Sequence, residues 1–118
     1  MADVVIYHNP NCSNSRRALA WLKEHDIDHE VVQYLKKPLD RATLESIAKH
    51  LEDPIGDLVR HDKRFGELGL DAADYTTTKA VVGLLVEHPE LMQRPVVVQG
   101  SRSIIARPPE EKLDQLWG

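Results

Sequence analysis

The sequence predicts one α/β domain, and three observations carry that reading. A β-rich run, a helical stretch and a second β-rich run follow one another between Val4 and Tyr34. Strand, helix and strand over about thirty residues is the size of a right-handed βαβ unit. Two further β-rich runs flank Gly100-Ser101 near the end of the chain, and the remaining apolar residues recur at helical spacings. The length of 118 residues suits a single unit, 1–118, without repeat or linker, since about 100–150 residues is usual for a domain. Hydrophobic residues at 42% and charged residues at 29% exclude disorder by composition.

Val4-Val5-Ile6-Tyr7-His8 is the first strand, stopped by Asn9-Pro10-Asn11. From about Ser13 to His25 the period is helical, with Ala18, Leu19 and Leu22 on one face and Arg16, Arg17 and Glu24 off it. Glu30 to Tyr34 is the second strand, ended by Lys36-Lys37-Pro38. Asp40 suits an N-cap before Leu44, Ile47, Ala48 and Leu51. Asp53-Pro54 restarts a helix through Leu58-Val59-Arg60, because Asp caps and Pro fits the first helical position. Thr78 caps another helix, through Val81, Leu84 and Leu85 to His88-Pro89. Pro95 to Val98 and Ser103 to Ala106 are buried-type strands. A closing helix begins at Pro108-Pro109-Glu110 and turns Leu113 and Leu116 inward, with Trp117 beside them.

Gly100-Ser101 suits a two-residue type II′ turn, which needs glycine first. That turn sets Gln99 opposite Arg102, Val98 opposite Ser103 and Val96 opposite Ile105. Carried to the hairpin base, the same count sets Arg94 opposite Arg107, and like charges facing across a ladder repel. A proline follows each arginine and stiffens the backbone there. Either these are two solvated arginines at a hairpin mouth, or an anion sits between them.

Cys12 is the one cysteine of the chain. A lone cysteine is ordinarily a small buried hydrophobe, but this one lies between a strand and a helix in the polar segment Asn9-Pro10-Asn11-Cys12-Ser13-Asn14-Ser15-Arg16. A thiol there meets unpaired backbone N–H groups, the positive end of a helix dipole and Arg16. Each favours thiolate, the nucleophilic form, and the same N–H groups suit an oxyanion. Cys12-Ser13-Asn14-Ser15 is a Cys-x-x-Cys with serine in the second place. No intramolecular disulfide can close, so a two-electron redox cycle needs at least one thiol from outside the chain.

The segment His8 to Arg16, with Arg60, Arg94-Pro95-Val96-Val97-Val98 and Arg107-Pro108, resembles the glutaredoxin-dependent arsenate reductase (ArsC) family. The likeness covers nearly the whole chain. It implies a thioredoxin-like three-layer fold with a mixed four-stranded sheet and an inserted helical region at about residues 40–90. It implies that Pro95 is a cis proline, that Cys12 is the nucleophile, and that Arg60, Arg94 and Arg107 bind the anion. Ending at Gly118, with Arg-Pro-Pro-Glu at 107–110, the chain is similar to the shorter branch of the family, which lacks a C-terminal tail.

The resemblance implies arsenate as substrate, glutathione as co-substrate and glutaredoxin as partner, with no tightly bound cofactor. Thiolate Cys12 would attack As(V) and expel hydroxide, and a Cys12–S–As–S–glutathione adduct would follow, which glutaredoxin resolves. The arginines would neutralise the oxyanion, while His8 and Ser15 would hydrogen-bond near the sulfur.

Fifteen Lys and Arg against nineteen Asp and Glu give a net charge of −4, which speaks against a nucleic-acid partner. No apolar run approaches the ~18–20 residues of a membrane span, and a single cysteine fits a cytoplasmic setting. His25 and His29 have a metal-ligand spacing, but Asp26-Ile27-Asp28 between them reads as a turn that splays the pair; no metal is expected. Two other function classes compete with a reductase. A regulator like Spx, which shares the fold and binds RNA polymerase, switches through Cys-x-x-Cys, and Ser15 removes that switch. A relative acting on another oxyanion or thiol substrate is compatible with every residue named.

Overall fold

Apolar alternation makes β1 (Val4–Tyr7) an inner strand: Val4 and Ile6 pack on one side of the sheet and Tyr7 on the other. The structure, a computed structural model, describes residues 3–117. β2 (Glu30–Val32) pairs parallel with β1, and the crossover that a parallel pair requires is α1 (Ser13–Glu24). β3 (Val96–Gln99) runs antiparallel to β1, and β4 (Arg102–Ile105) antiparallel to β3. The mixed four-stranded sheet has the order β2-β1-β3-β4.

The two faces of the sheet are covered differently. Val4, Ile6, Val97 and Ile104 meet Ala18, Trp21 and Leu22 of α1 and Leu113 and Leu116 of α5 (Pro109–Trp117). Tyr7, Val96 and Ile105 meet the helical region between β2 and β3. Its main members are α2 (Arg41–Lys49) and α4 (Thr78–Glu87), joined by the short α3 (Lys63–Glu67) and by 3₁₀ turns at Ile55–Leu58, Ala72–Asp74 and Pro89–Leu91. Helices, sheet and helices make three layers, the thioredoxin-like arrangement with its insertion. Burying Leu22, Ile6 and Leu113 completely contributes roughly 1.5–3 kcal/mol for each side chain.

The hairpin has the expected register, with Val96 opposite Ile105 and Gln99 opposite Arg102. Gly100 has φ +58 and Ser101 is not in the left-handed region, as a type II′ turn requires. Elsewhere the boundaries moved. Thr77, not Thr78, caps α4, its hydroxyl accepting from the Ala80 N–H. Asp53 caps nothing: it accepts from the Ile105 N–H at 2.8 Å and pairs with Lys112. The helix expected after it is the single 3₁₀ turn Ile55–Leu58, which leaves Arg60 outside any helix. Leu51 lies beyond α2 and bridges Ser103 instead. β2 stops at Val32, two residues before Tyr34. α3 and the turn at Ala72–Asp74 were not anticipated. In the pair His25 and His29 each Nδ1 bonds to a local backbone carbonyl, of Trp21 at 2.8 Å and of Ile27 at 2.7 Å.

Candidate active site

The sheet topology gathers four chain ends along one edge. β1 and β2 leave the sheet there side by side, β3 enters there and β4 leaves there, since Tyr7 lies opposite both Val32 and Val96, and Val96 opposite Ile105. The loop to Cys12, Tyr34, Arg94-Pro95 and Arg107 therefore share one end of the molecule. Arg94-Pro95 is a cis peptide, as expected for Pro95, and so is Arg107-Pro108.

Hydrogen bonds define the loop that carries Cys12. The His8 N–H donates to the Val32 carbonyl at 2.8 Å, and the Cys12 N–H to the Asn9 carbonyl at 3.0 Å. The Asn9 side chain accepts from the Asn11 N–H at 2.9 Å, an Asx turn. The Asn9 N–H donates to Ser15 Oγ at 3.1 Å. Ser15 is completely buried, so its hydroxyl ties the loop to the first turn of α1.

Cys12 is the N-cap of α1, with extended backbone and no side-chain capping bond to satisfy the first N–H groups. Those donors remain for the sulfur. Burial pushes the half-buried Cys12 thiol up, but the Ser15 and Asn14 backbone amides and the Arg94 guanidinium outweigh it, and the thiol lies below its ordinary value. The cation at the sulfur is thus Arg94, not Arg16. Arg16 lies on the outer face of α1 and donates Nη1 to the Pro10 carbonyl at 2.9 Å.

Arg94 is half-buried, and its Nε is buried without a partner among the described residues. Arg60 is held nearby by a short antiparallel pairing. Its N–H donates to the Leu91 carbonyl at 2.7 Å, and the Gln93 N–H to the Leu58 carbonyl at 2.7 Å. Its Nε lies 3.7 Å from Asp62. Arg107 is exposed, and its Nη1 donates to Gln93 Oε1 at 2.8 Å and to the Arg94 carbonyl at 3.1 Å. At the hairpin base the Arg107 guanidinium thus turns to the backbone carbonyl of Arg94.

His8 is buried, and burial lowers its pKa, opposed by the Ser15 backbone and aided by Arg16 and Lys23. Its Nδ1 has no partner among the described residues, and none of their hydrogen bonds joins it to Cys12. Ser15 reaches the sulfur through its backbone rather than its hydroxyl. Sequence reasoning missed two residues. Tyr34 is 1% exposed, and its hydroxyl lies 3.5 Å from the Met92 carbonyl. Burial raises its pKa, while Arg94 and Arg60 lower it and Cys12 raises it further, so the phenol stands among all three. Its place just beyond a strand parallel to β1 was the available signal. Gln93, the partner of Arg107, had none. Among the described residues no three His, Cys, Asp or Glu side chains are grouped to hold a metal.

Comparisons with known proteins bear on the family of the chain. The chain matches the ArsC family over residues 7–114. It is 38% identical to an arsenate reductase of Haemophilus influenzae across 97% of this chain and 99% of that one. It is 42% identical to YfgD of Escherichia coli K12, described as uncharacterized, across 95% of each chain. The solved structure of an arsenate reductase from Vibrio cholerae superposes with a TM-score of 0.81 at 34% identity, covering 94% of this chain and 95% of that one. A cysteine at the start of α1, an arginine beside its sulfur and a match across nearly the whole length lead to one conclusion: the chain belongs to the ArsC family.

Proposed function

We propose that this protein reduces arsenate to arsenite, with Cys12 as nucleophile and glutathione and glutaredoxin supplying the electrons. The observation that carries the reading is Cys12 itself, a cap without a capping bond, with backbone amides and Arg94 drawing its pKa down. The arsenate reductases of similar length and sequence support the choice of oxyanion.

The thiolate attacks As(V) and hydroxide leaves, forming a Cys12–S–As ester. Arg94, with Arg60 and Arg107, neutralises the oxyanion and the charge that builds as the bond forms. A glutathione thiolate displaces a second hydroxide to give Cys12–S–As(V)–S–glutathione. A glutaredoxin thiolate then attacks the glutathione sulfur. The S–As electron pair stays on arsenic, which becomes As(III), and glutathione departs as a mixed disulfide with glutaredoxin. Water releases arsenite and returns Cys12 as a thiol. Phosphate has the shape and charge of arsenate, so the arginines discriminate little between them; selectivity rests on arsenic(V) being reducible by thiols.

Arsenite formation tests this. Purified protein should turn over repeatedly with glutathione and glutaredoxin, and not alone. Thioredoxin should serve poorly, since no intramolecular disulfide is offered to it. Cys12→Ser should abolish activity and keep the fold. Parent-rate arsenate reduction by Cys12→Ser, or sustained turnover with thioredoxin alone, would contradict the mechanism. Turnover of another oxyanion in preference to arsenate would move the substrate and keep the site.

A further inference from the structure

Tyr34 is buried at the site, and the chemistry set out above gives its hydroxyl no task. Sheet register explains how it comes to be there. Tyr7, at the end of β1, lies opposite both Val32 and Val96. Tyr34 stands two residues beyond Val32 and Arg94 two before Val96, so the two flank the place where β1 gives way to the Cys12 loop. The ring packs with Tyr7 and Val96 in one apolar cluster and is 1% exposed. Burial raises the pKa of the phenol, which keeps it protonated and neutral. The acceptor within reach of its hydrogen is the Met92 carbonyl, 3.5 Å away. Its oxygen faces the Arg94 guanidinium, with Arg60 and Cys12 beside them.

What Arg94 lacks gives that contact its meaning. Arg17, Arg60, Arg64 and Arg102 each pair with a carboxylate. Arg94 pairs with none among the described residues. A carboxylate would hold the guanidinium firmly, but it would also cancel the charge and compete with an oxyanion for the same donors. A neutral phenol oxygen accepts a hydrogen bond and leaves the charge whole. We infer that Tyr34 is the positioning residue of the anion site: its phenol oxygen holds the Arg94 guanidinium against Cys12 with the charge free for the substrate oxyanion. The inference deepens the reductase reading and rests on it for the identity of that anion, but it is tested with sulfate and by alkylation.

Tyr34→Phe keeps the ring in the core and removes the oxygen. In the full chain, the sulfate concentration that halves the rate of Cys12 alkylation should rise about tenfold, the low end for a charge-assisted hydrogen bond. The pH inflection of alkylation should move up toward that of a free cysteine, because Arg94 no longer stands by the sulfur. In turnover the arsenate KM should rise by a similar factor, with the half-saturating glutathione concentration unchanged. Adding Tyr34→Phe to Arg94→Ala should change neither sulfate protection nor the inflection further, since the hydroxyl acts through that guanidinium. A phenol that only fills the core would instead lower Tm in both backgrounds and move neither readout. Parent values of both readouts in Tyr34→Phe would overturn the inference. So would shifts as large with Arg94 already truncated, a Tyr34→Phe chain that does not fold, or a parent that sulfate does not protect. Sulfate protection that depends on Tyr34, in a protein that does not reduce arsenate, would uphold the inference and defeat the reductase reading alone.

Discussion

Arg94 and Ser15 divide the task of holding the sulfur ready. Arg94 supplies charge to the sulfur from a half-buried position, and its Nε has no partner among the described residues. Arg94→Ala should lower kcat/KM for arsenate by about ten- to a hundredfold, with a Tm close to the parent's. Arg107→Ala should do the same more mildly, since water can replace its exposed bonds to Gln93 and the Arg94 carbonyl. Sulfate should raise the parent Tm through linkage and raise that of either variant less. Variants that lose stability and keep parent kinetics would make these arginines part of the scaffold. Ser15 acts differently, because its hydroxyl satisfies the Asn9 N–H inside the protein. Ser15→Ala leaves that donor buried and unpaired, at a cost of about 1–3 kcal/mol. Denaturant titration should show the loss, together with slower alkylation of Cys12 at neutral pH. An unchanged midpoint would mean that the loop finds another partner.

Elements with their own local signals were legible in the sequence, and those shaped by distant contacts were not. β1, α1 and the β3–β4 hairpin follow from period and turn chemistry within a few residues, and their register came out as read. Asp53-Pro54 has the chemistry of a helix start, yet the Asp53 carboxylate is drawn across to Ile105 and Lys112, residues far along the chain. α3 is too short to show an apolar period, with Phe65 its one buried residue. The same division holds at the site. Cys12 could be singled out from its place before a helix, and Arg94 with Arg107 from the turn count. Arg60 reached the list through family resemblance alone, because its position depends on the pairing of Val59 with Met92. Arg16 was misjudged for a related reason: sequence proximity to Cys12 did not decide which way its side chain would go. The hairpin offers a test confined to the element. A Cβ on Gly100 would touch nothing, but φ is +58, and an L-residue there costs roughly 1–2 kcal/mol. Gly100→Ala should lower the denaturation midpoint while leaving the arsenate KM alone, as the turn lies at the opposite end of β3 and β4 from Arg94. Equal midpoints would show that the turn relaxes to another type.

Over the whole molecule the charge balance runs against the proposed substrate. A chain of net charge −4 does not attract an oxyanion from a distance, so on the proposed reading its affinity comes from Arg94, Arg60 and Arg107 at one edge of the sheet. The topology makes that concentration by bringing the ends of four strands together, with the start of α1 aimed at the same place. The central claim is that this edge holds Cys12 as a thiolate beside an anion site. With one cysteine in the chain, every alkylation event reports on it. The rate of iodoacetamide modification against pH should show an inflection below the ~8.5 of a free cysteine, and sulfate should slow the reaction in the parent but much less in Arg94→Ala. An inflection at or above that reference, with no effect of sulfate, would contradict the account.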